Sequence, residues 1–350
     1  MTLAVRYTAA RTLDTGPAKT SAPGPGEVEL APAYVGICGT DLHIFHGDMD
    51  ARVSRPAVLG HEMSGRVVRV GPGVEEWQPG DAVTVMPLRW DGTCPACRSG
   101  HRYICQHLDF IGIDSPGAMQ QRWTVPAATL VRLPQTIPLD RAALVEPTAV
   151  AVHDVGRAGV RAGEKVVVVG GGPVGVLIAL VARAAGADVR IVEPSAHRRQ
   201  LAKELDLTAW DPATDDVPKL VGQWTGDAGA DVAFEVSGAA AGMATAVDVL
   251  GVRGRLCLVA IHPKPREVNL HRFFWRELTL VGARLYHLPD FEKAVALIED
   301  GTVPAERLIS KVVPLTEAPS AFEALEGGGD VMKILVDCGN NTDDAQGAAV

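Results

Sequence analysis

The chain has 350 residues, more than one hydrophobic core ordinarily serves, so two domains are expected. Apolar residues make up 47% and charged residues 21%, a globular balance that excludes a disordered chain. A net charge of −9 without any Lys/Arg run excludes the electrostatic footprint of a nucleic-acid binder, and no apolar stretch matches a membrane span. There is no basic-then-apolar leader, so a cytoplasmic location is expected.

The first third is rich in Gly and Pro and carries short strand patterns: GEVELAPAYV, SGRVVRVG, DAVTVMPL, RWTVP and TLVRLP. Short strands between Gly/Pro turns predict a compact β domain, a partly closed barrel. From about Glu146 a helix pattern leads into KVVVVGGGPVG, an apolar run suited to a strand buried on both faces. Strands and helices then alternate. Asp188–Val192 reads as a strand, Ser195 caps a helix to about Leu205, and Asp231–Val236, Arg255–Ala260 and Glu277–Tyr286 read as further strands. This alternation predicts a doubly wound parallel sheet, so the fold class is α/β. A helix near Asp290–Ile298 and strands in LISKVVPL and MKILVDC return to the first domain, and NNTDDAQGAAV forms an unstructured tail. The expected domains are 1–147 with 287–338, then 148–286, then the tail 339–350.

Gly170-x-Gly172-x-x-Gly175 joins a predicted strand to a helix that Pro173 and Val174 begin. Gly170 permits the tight turn, Gly172 lets the backbone approach a pyrophosphate, and Gly175 allows close helix–sheet packing. The helix N-terminus adds its unpaired N–H groups and positive dipole end. Alone, the motif could be a flexible loop; here the strand–loop–helix context is met. Glu193 closes the second strand about 20 residues on, where a carboxylate binds both ribose hydroxyls and repels a 2′-phosphate. That favours NAD over NADP, although His197, Arg198 and Arg199 follow closely and leave room for the phosphate.

Cys38 in GICGTDLH is followed about 20 residues later by His61 and Glu62. Thiolate, imidazole and carboxylate are zinc ligands, and three of them with a water make an open catalytic site. Taken singly, a cysteine is most often packing and a histidine structural. Thr40 and His43 place a hydroxyl and a base two and five residues past Cys38, suited to moving a proton. Glu146 in VEPTAV is a further carboxylate, or simply a helix-start acid. Cys94, Cys97 and Cys105 fall within twelve residues, a spacing that suggests metal rather than disulfides.

With GICGTDLH, GHEMSGRVVRVG, VEPTAVAVHDV, VVVVGGGPVG and FEVSG, the chain resembles the medium-chain zinc-dependent alcohol dehydrogenases, nearest the polyol, butanediol and threonine branch. The similarity extends from the N-terminus to about Cys338. It implies a GroES-like catalytic domain, a Rossmann domain, and a catalytic Zn²⁺ on Cys38 and His61. Glu62 is then a third ligand, and Glu146 joins it or holds a water. Asp41 resembles the acid that orients the zinc-bound histidine. By the same resemblance Thr40 contacts the substrate oxygen and His43 passes its proton to solvent. A homodimer or homotetramer, joined through the strand near Leu278–Leu285, is also implied.

One departure stands out. The family's first lobe cysteine is replaced by Asp91, giving Asp91, Cys94, Cys97 and Cys105 as ligands for a structural zinc, or an empty lobe of reduced thiols. A substrate pocket is expected around Phe45, Phe110, Met119 and Trp123, with Arg284 or Tyr286. Other histidines, among them His107 and His262, read as structural or surface residues. The expected reaction is NAD-linked conversion of a secondary alcohol (polyol, vicinal diol or cyclitol-like) to its ketone. Threonine 3-dehydrogenation is the enzymatic rival, and a zinc-free, non-catalytic nucleotide-binding relative is the rival of another class.

Overall fold

The computed structural model describes residues 2–19, 21–262, 264–326 and 330–339. Except for Gly339, the expected tail lies outside the described residues. The chain forms two compact units, one comprising Met1–Glu146 with Phe291–Val350 and the other Pro147–Asp290.

In the first unit, the strand Glu27–Gly36 lies between Glu62–Val70 on one side and Lys333–Asp337 on the other. Ala82–Val85 and Leu130–Arg132 extend the sheet beyond Glu62–Val70, and Ile309–Pro314 extends it beyond Lys333–Asp337. Every pairing is antiparallel except the last. Gly36 is in register with Glu62 on one neighbour and with Leu335 on the other, so three distant stretches of sequence meet there. The N-terminal hairpin of Thr2–Ala9 and Thr12–Ala18 was not expected from the sequence. Its turn carries no Gly, Asn or Pro; Arg11 adopts φ 59, the left-handed conformation that such residues usually advertise.

In the second unit, six parallel strands run in the order Thr208–Trp210, Asp188–Val192, Lys165–Val169, Ala230–Glu235, Leu250–Leu258, Thr279–Gly282. This is the doubly wound arrangement, with the order reversing beside the first strand. Val166, Val167 and Val168 are fully buried, as an unbroken apolar strand requires. The helix Pro173–Ala184 packs on them. Ser195 caps Ala196–Glu204 by accepting from the Arg198 N–H. The strand expected over Glu277–Tyr286 is only Thr279–Gly282, because Glu277 (φ 50) and Leu285 (φ 61) leave the extended region at either end.

Candidate functional site

The sheet of the first unit builds a cradle around Cys38. This residue lies two past the end of the strand Glu27–Gly36 and caps the short helix Gly39–His46, whose third residue, Asp41, accepts the Cys38 N–H through Oδ2 at 2.9 Å. Glu62 begins the neighbouring strand Glu62–Val70, and His61 immediately precedes it. One ligand atom from each of Cys38, His61 and Glu62 lies within 4.8 Å of the others, close enough to share one ion.

Two buried atoms in the cradle have no hydrogen-bond partner, His61 Nδ1 and Asp41 Oδ1. They face each other at 3.8 Å, an ion-pair distance beyond hydrogen-bond length, and Asp41 also holds the Cys38 backbone. Burial disfavours charge on His61, yet Asp41, Cys38 and Glu146 together push its pKa well above the usual histidine range. The pocket therefore favours a cation, which suits a zinc site. Glu146 is also buried and belongs to the same electrostatic neighbourhood.

Sequence reasoning missed one member of this cluster. Lys333, buried in the last strand, donates to both oxygens of Glu62 at 2.6 and 2.9 Å and to the Ile37 carbonyl at 3.1 Å. Burial works against its charge, but Glu62 and Cys38 outweigh burial and raise its pKa. The available signal was a lysine inside the apolar run MKILVDC.

Thr40 and His43, three residues apart on one short helix, share a face. Gly47 ends that helix at φ 87, and the chain folds back so that Asp48 Oδ2 lies 3.2 Å from His43 Nδ1. Among the expected pocket residues, Phe110 stands edge-on to His61 at 5.1 Å. Phe45 instead packs on Phe322 at 5.4 Å, while Met119 and Trp123 are core residues. In the second unit Tyr286 is fully buried and Arg284 is exposed.

The second cluster is local. Asp91, Cys94, Cys97 and Cys105 also bring one ligand atom each within 4.8 Å. Backbone N–H groups of Cys97 and Gln106 point at Cys94 Sγ, and that of His107 points at Cys105 Sγ. The Asp91 carboxylate accepts from the Thr93 and Cys94 N–H groups and meets His107 Nδ1 at 2.5 Å. The Cys94 N–H and His107 hold its pKa far below the carboxylate range. The Gln106 N–H lowers the Cys94 thiol, whereas burial and the neighbouring sulfurs push Cys97 up to about 12. Three sulfurs and a carboxylate gathered in this space form a donor set that suits a cation. His107, read from the sequence as a structural or surface residue, is thus paired with Asp91 beside the lobe.

In the second unit, Gly170 turns at φ 110, and a Cβ on Gly175 would collide with the Gly170 carbonyl, which accounts for both glycines. Gly172 has open space before it, with only Arg198 Nη1 near the place of a Cβ, at 3.8 Å. Pro173 and Val174 begin the helix as expected. Glu193 is buried at the end of its strand; Oε2 accepts from the Gly171 N–H at 2.7 Å and Oε1 from the Ser195 N–H at 2.8 Å. Arg198 Nη1 is 3.9 Å from Glu193 Oε2. His262 is likewise partnered, with Nε2 2.8 Å from the buried Glu235 carboxylate and Nδ1 accepting from Arg266.

Comparison with known proteins supports the fold and the enzyme class. Residues 24–135 match the model of the alcohol dehydrogenase GroES-like domain, and residues 173–300 match that of the zinc-binding dehydrogenase. The chain is 49% identical to a 2-dehydro-3-deoxy-L-galactonate 5-dehydrogenase of Pseudoalteromonas atlantica, over 91% of this chain and 93% of that protein. It is 35% identical to an L-threonine 3-dehydrogenase of Pyrococcus horikoshii, over 87% and 90%. A zinc-binding dehydrogenase of Sinorhizobium meliloti, solved with NADP bound, superimposes with a TM-score of 0.90 at 30% identity, covering 96% of this chain and 99% of that one.

Proposed function

This chain belongs to the medium-chain zinc-dependent alcohol dehydrogenase family, and from that premise we propose that it oxidises the C5 hydroxyl of a 2-dehydro-3-deoxy sugar acid. The broader activity, interconversion of a secondary alcohol and a ketone with zinc and a nicotinamide cofactor, follows from the family. The finer substrate reading rests on the 49% identity to the galactonate-type relative, against 35% to the threonine enzyme.

The observation that carries the chemistry is the convergence of Cys38, His61 and Glu62. These three would hold the catalytic ion, with Glu146 as a fourth ligand or the anchor of a water. When bound, zinc supplies Lewis-acid polarisation of the substrate oxygen, and the nicotinamide accepts the hydride. Thr40 would accept the substrate hydroxyl proton as it gives up its own toward His43, which releases a proton to solvent, with Asp48 steadying the ring. Gly170, Gly172, Pro173, Val174 and Gly175 would cradle the pyrophosphate, with Arg198 beside them. Glu193 would take the ribose hydroxyls, favouring NAD over NADP. Asp91, Cys94, Cys97 and Cys105 would hold a structural zinc.

The protein would act in the cytoplasm as a homo-oligomer. No described helix is long and apolar enough to cross a membrane. The outer edge of Thr279–Gly282 lies at the end of its sheet with Leu280 exposed, and Leu270, Phe274 and Trp275 are exposed on the preceding helix, apolar groups suited to a second copy. Light scattering tests this, and a monomer would refute it.

The substrate test follows NAD⁺ and NADP⁺ reduction with a 2-dehydro-3-deoxy-galactonate, 2,3-butanediol, sorbitol and threonine. The reading expects kcat/KM for the sugar acid to exceed the others by about a hundredfold or more. Equal or better turnover of threonine would replace it.

A further inference from the structure

A 2-dehydro-3-deoxy sugar acid differs from a simple diol by its C1 carboxylate, and selecting it calls for a cation at a set distance from the reacting C5. In an extended chain C1 and C5 are about 5 Å apart. Three cations of the first unit are committed elsewhere. The protons of Lys333 are taken by Glu62 and the Ile37 carbonyl. Arg89 bonds Asp109, which precedes Phe110 in a strand and so points to the face opposite the one where Phe110 meets His61. Arg55 is tied through Asp50 to Tyr7 of the N-terminal hairpin.

Arg52 is placed differently. The turn 110–115 rests on the metal cradle: a Cβ on Gly112 would lie 2.6 Å from the Gly60 carbonyl oxygen and 3.3 Å from His61 Cβ, and the Phe110 ring stands edge-on to His61. Asp114 closes that turn, its Oδ2 accepting the Phe110 N–H at 2.8 Å. The same carboxylate holds Arg52 from the side, Oδ1 accepting from Nε at 2.7 Å and Oδ2 from Nη2 at 2.6 Å. Arg52 itself belongs to the segment that follows the helix of Thr40 and His43, where its backbone N–H bonds the Met49 carbonyl.

A guanidinium has two forks, and Asp114 occupies the one made by Nε and Nη2. The end fork keeps both Nη1 protons and one Nη2 proton, and the Arg52 side chain is 37% exposed, so a ligand carboxylate has access to it. Asp114 fixes the guanidinium plane beforehand, which leaves little rotamer freedom to lose on binding. We propose that the end fork of Arg52 binds the C1 carboxylate of the sugar acid, with the carbons between C1 and C5 lying along Phe110, and so sets a preference for acids over neutral alcohols. This rests on the sugar-acid reading given above.

The test compares kcat and KM for 2-dehydro-3-deoxy-galactonate and for neutral 2,3-butanediol. The proteins are wild type, Arg52→Met, Arg52→Lys, Asp114→Asn and the Arg52→Met/Asp114→Asn double variant. Arg52→Met should lower the acid-to-diol ratio of kcat/KM by roughly ten- to a hundredfold, the scale of a lost charge-assisted hydrogen bond, and mainly through KM for the acid. Arg52→Lys should recover part of that ratio, because an ammonium keeps the charge without the fork. A folded Arg52→Met variant that loses activity equally on both substrates, or on neither, would overturn the proposal. If Arg52→Met alone does not fold with Asp114 left unpaired, the double variant read against Asp114→Asn gives the same ratio, and an unchanged ratio there would overturn it as well. Wild type that oxidises 2,3-butanediol but not the sugar acid would overturn the substrate reading itself, an outcome visible before any Arg52 variant is made.

Discussion

The two ligand clusters of the first unit bury charge by opposite means. The cradle of Cys38, His61 and Glu62 draws its members from the ends of neighbouring strands and includes a buried cation, Lys333, from the far end of the sequence. The lobe of Asp91, Cys94, Cys97 and Cys105 lies within fifteen residues and relies on backbone N–H groups aimed at sulfur and carboxylate. A lobe made of one loop can hold its shape locally, whereas the cradle exists only once the whole sheet has formed. The cradle should therefore govern chemistry and the lobe stability.

The largest effect should come from the cradle. Cys38→Ser is expected to lower kcat by at least about a thousandfold, the scale of losing a group that stabilises developing negative charge, with little change in melting temperature. Cys105→Ser should do the reverse, removing about 3 kcal/mol of stability, or roughly 5–10 °C, while kcat of the folded fraction changes little. Calorimetry and steady-state rates on both variants test the contrast; equal losses of activity in the two would break it.

Asp154 sharpens the comparison because it has neither device. It is fully buried in the second unit, both its oxygens lack hydrogen-bond partners, and Asp290 lies near. Burial first, and then Asp290, push its pKa well above the carboxylate range. A carboxyl whose pKa is higher in the folded state binds more protons there. Stability is therefore lost as pH rises from the unfolded value toward the folded one. Asp154→Asn should stabilise the protein by about 1–2 kcal/mol at pH 8 and leave it unchanged near pH 4. Thermal melts at both pH values check this, and a variant destabilised at pH 8 would contradict it.

The smallest effect is expected at the surface. The His43–Asp48 pair is partly exposed, so Asp48→Asn should reduce kcat by no more than about fivefold, with KM for NAD unchanged. A loss of a hundredfold, read from the pH–rate profile, would make Asp48 a far more important part of the proton route.

The sequence was legible where function is local. The glycine loop, the Ser195 cap and the Asp91–Cys105 spacing each sit within a few residues, so their chemistry can be read from a short stretch. Legibility failed where partners are distant or the backbone is unusual. Lys333 lies 271 residues from Glu62, and only the strand order brings them together. The N-terminal hairpin turns on Arg11 without a glycine, and His107 and His262 find carboxylates that no spacing announces. Phe45, Met119 and Trp123 are buried, and aromatic and long apolar side chains serve cores and pockets equally well, so residue type alone does not assign them to a pocket.

The most direct test of the account is the zinc content per chain of wild type, Cys38→Ser and Cys105→Ser, measured by elemental analysis on folded protein. Two separate sites predict about two zinc ions in wild type and about one in each variant, with activity lost only from Cys38→Ser. Wild type without zinc, or both ions lost together from Cys38→Ser, would contradict two independent sites and the division of labour between them.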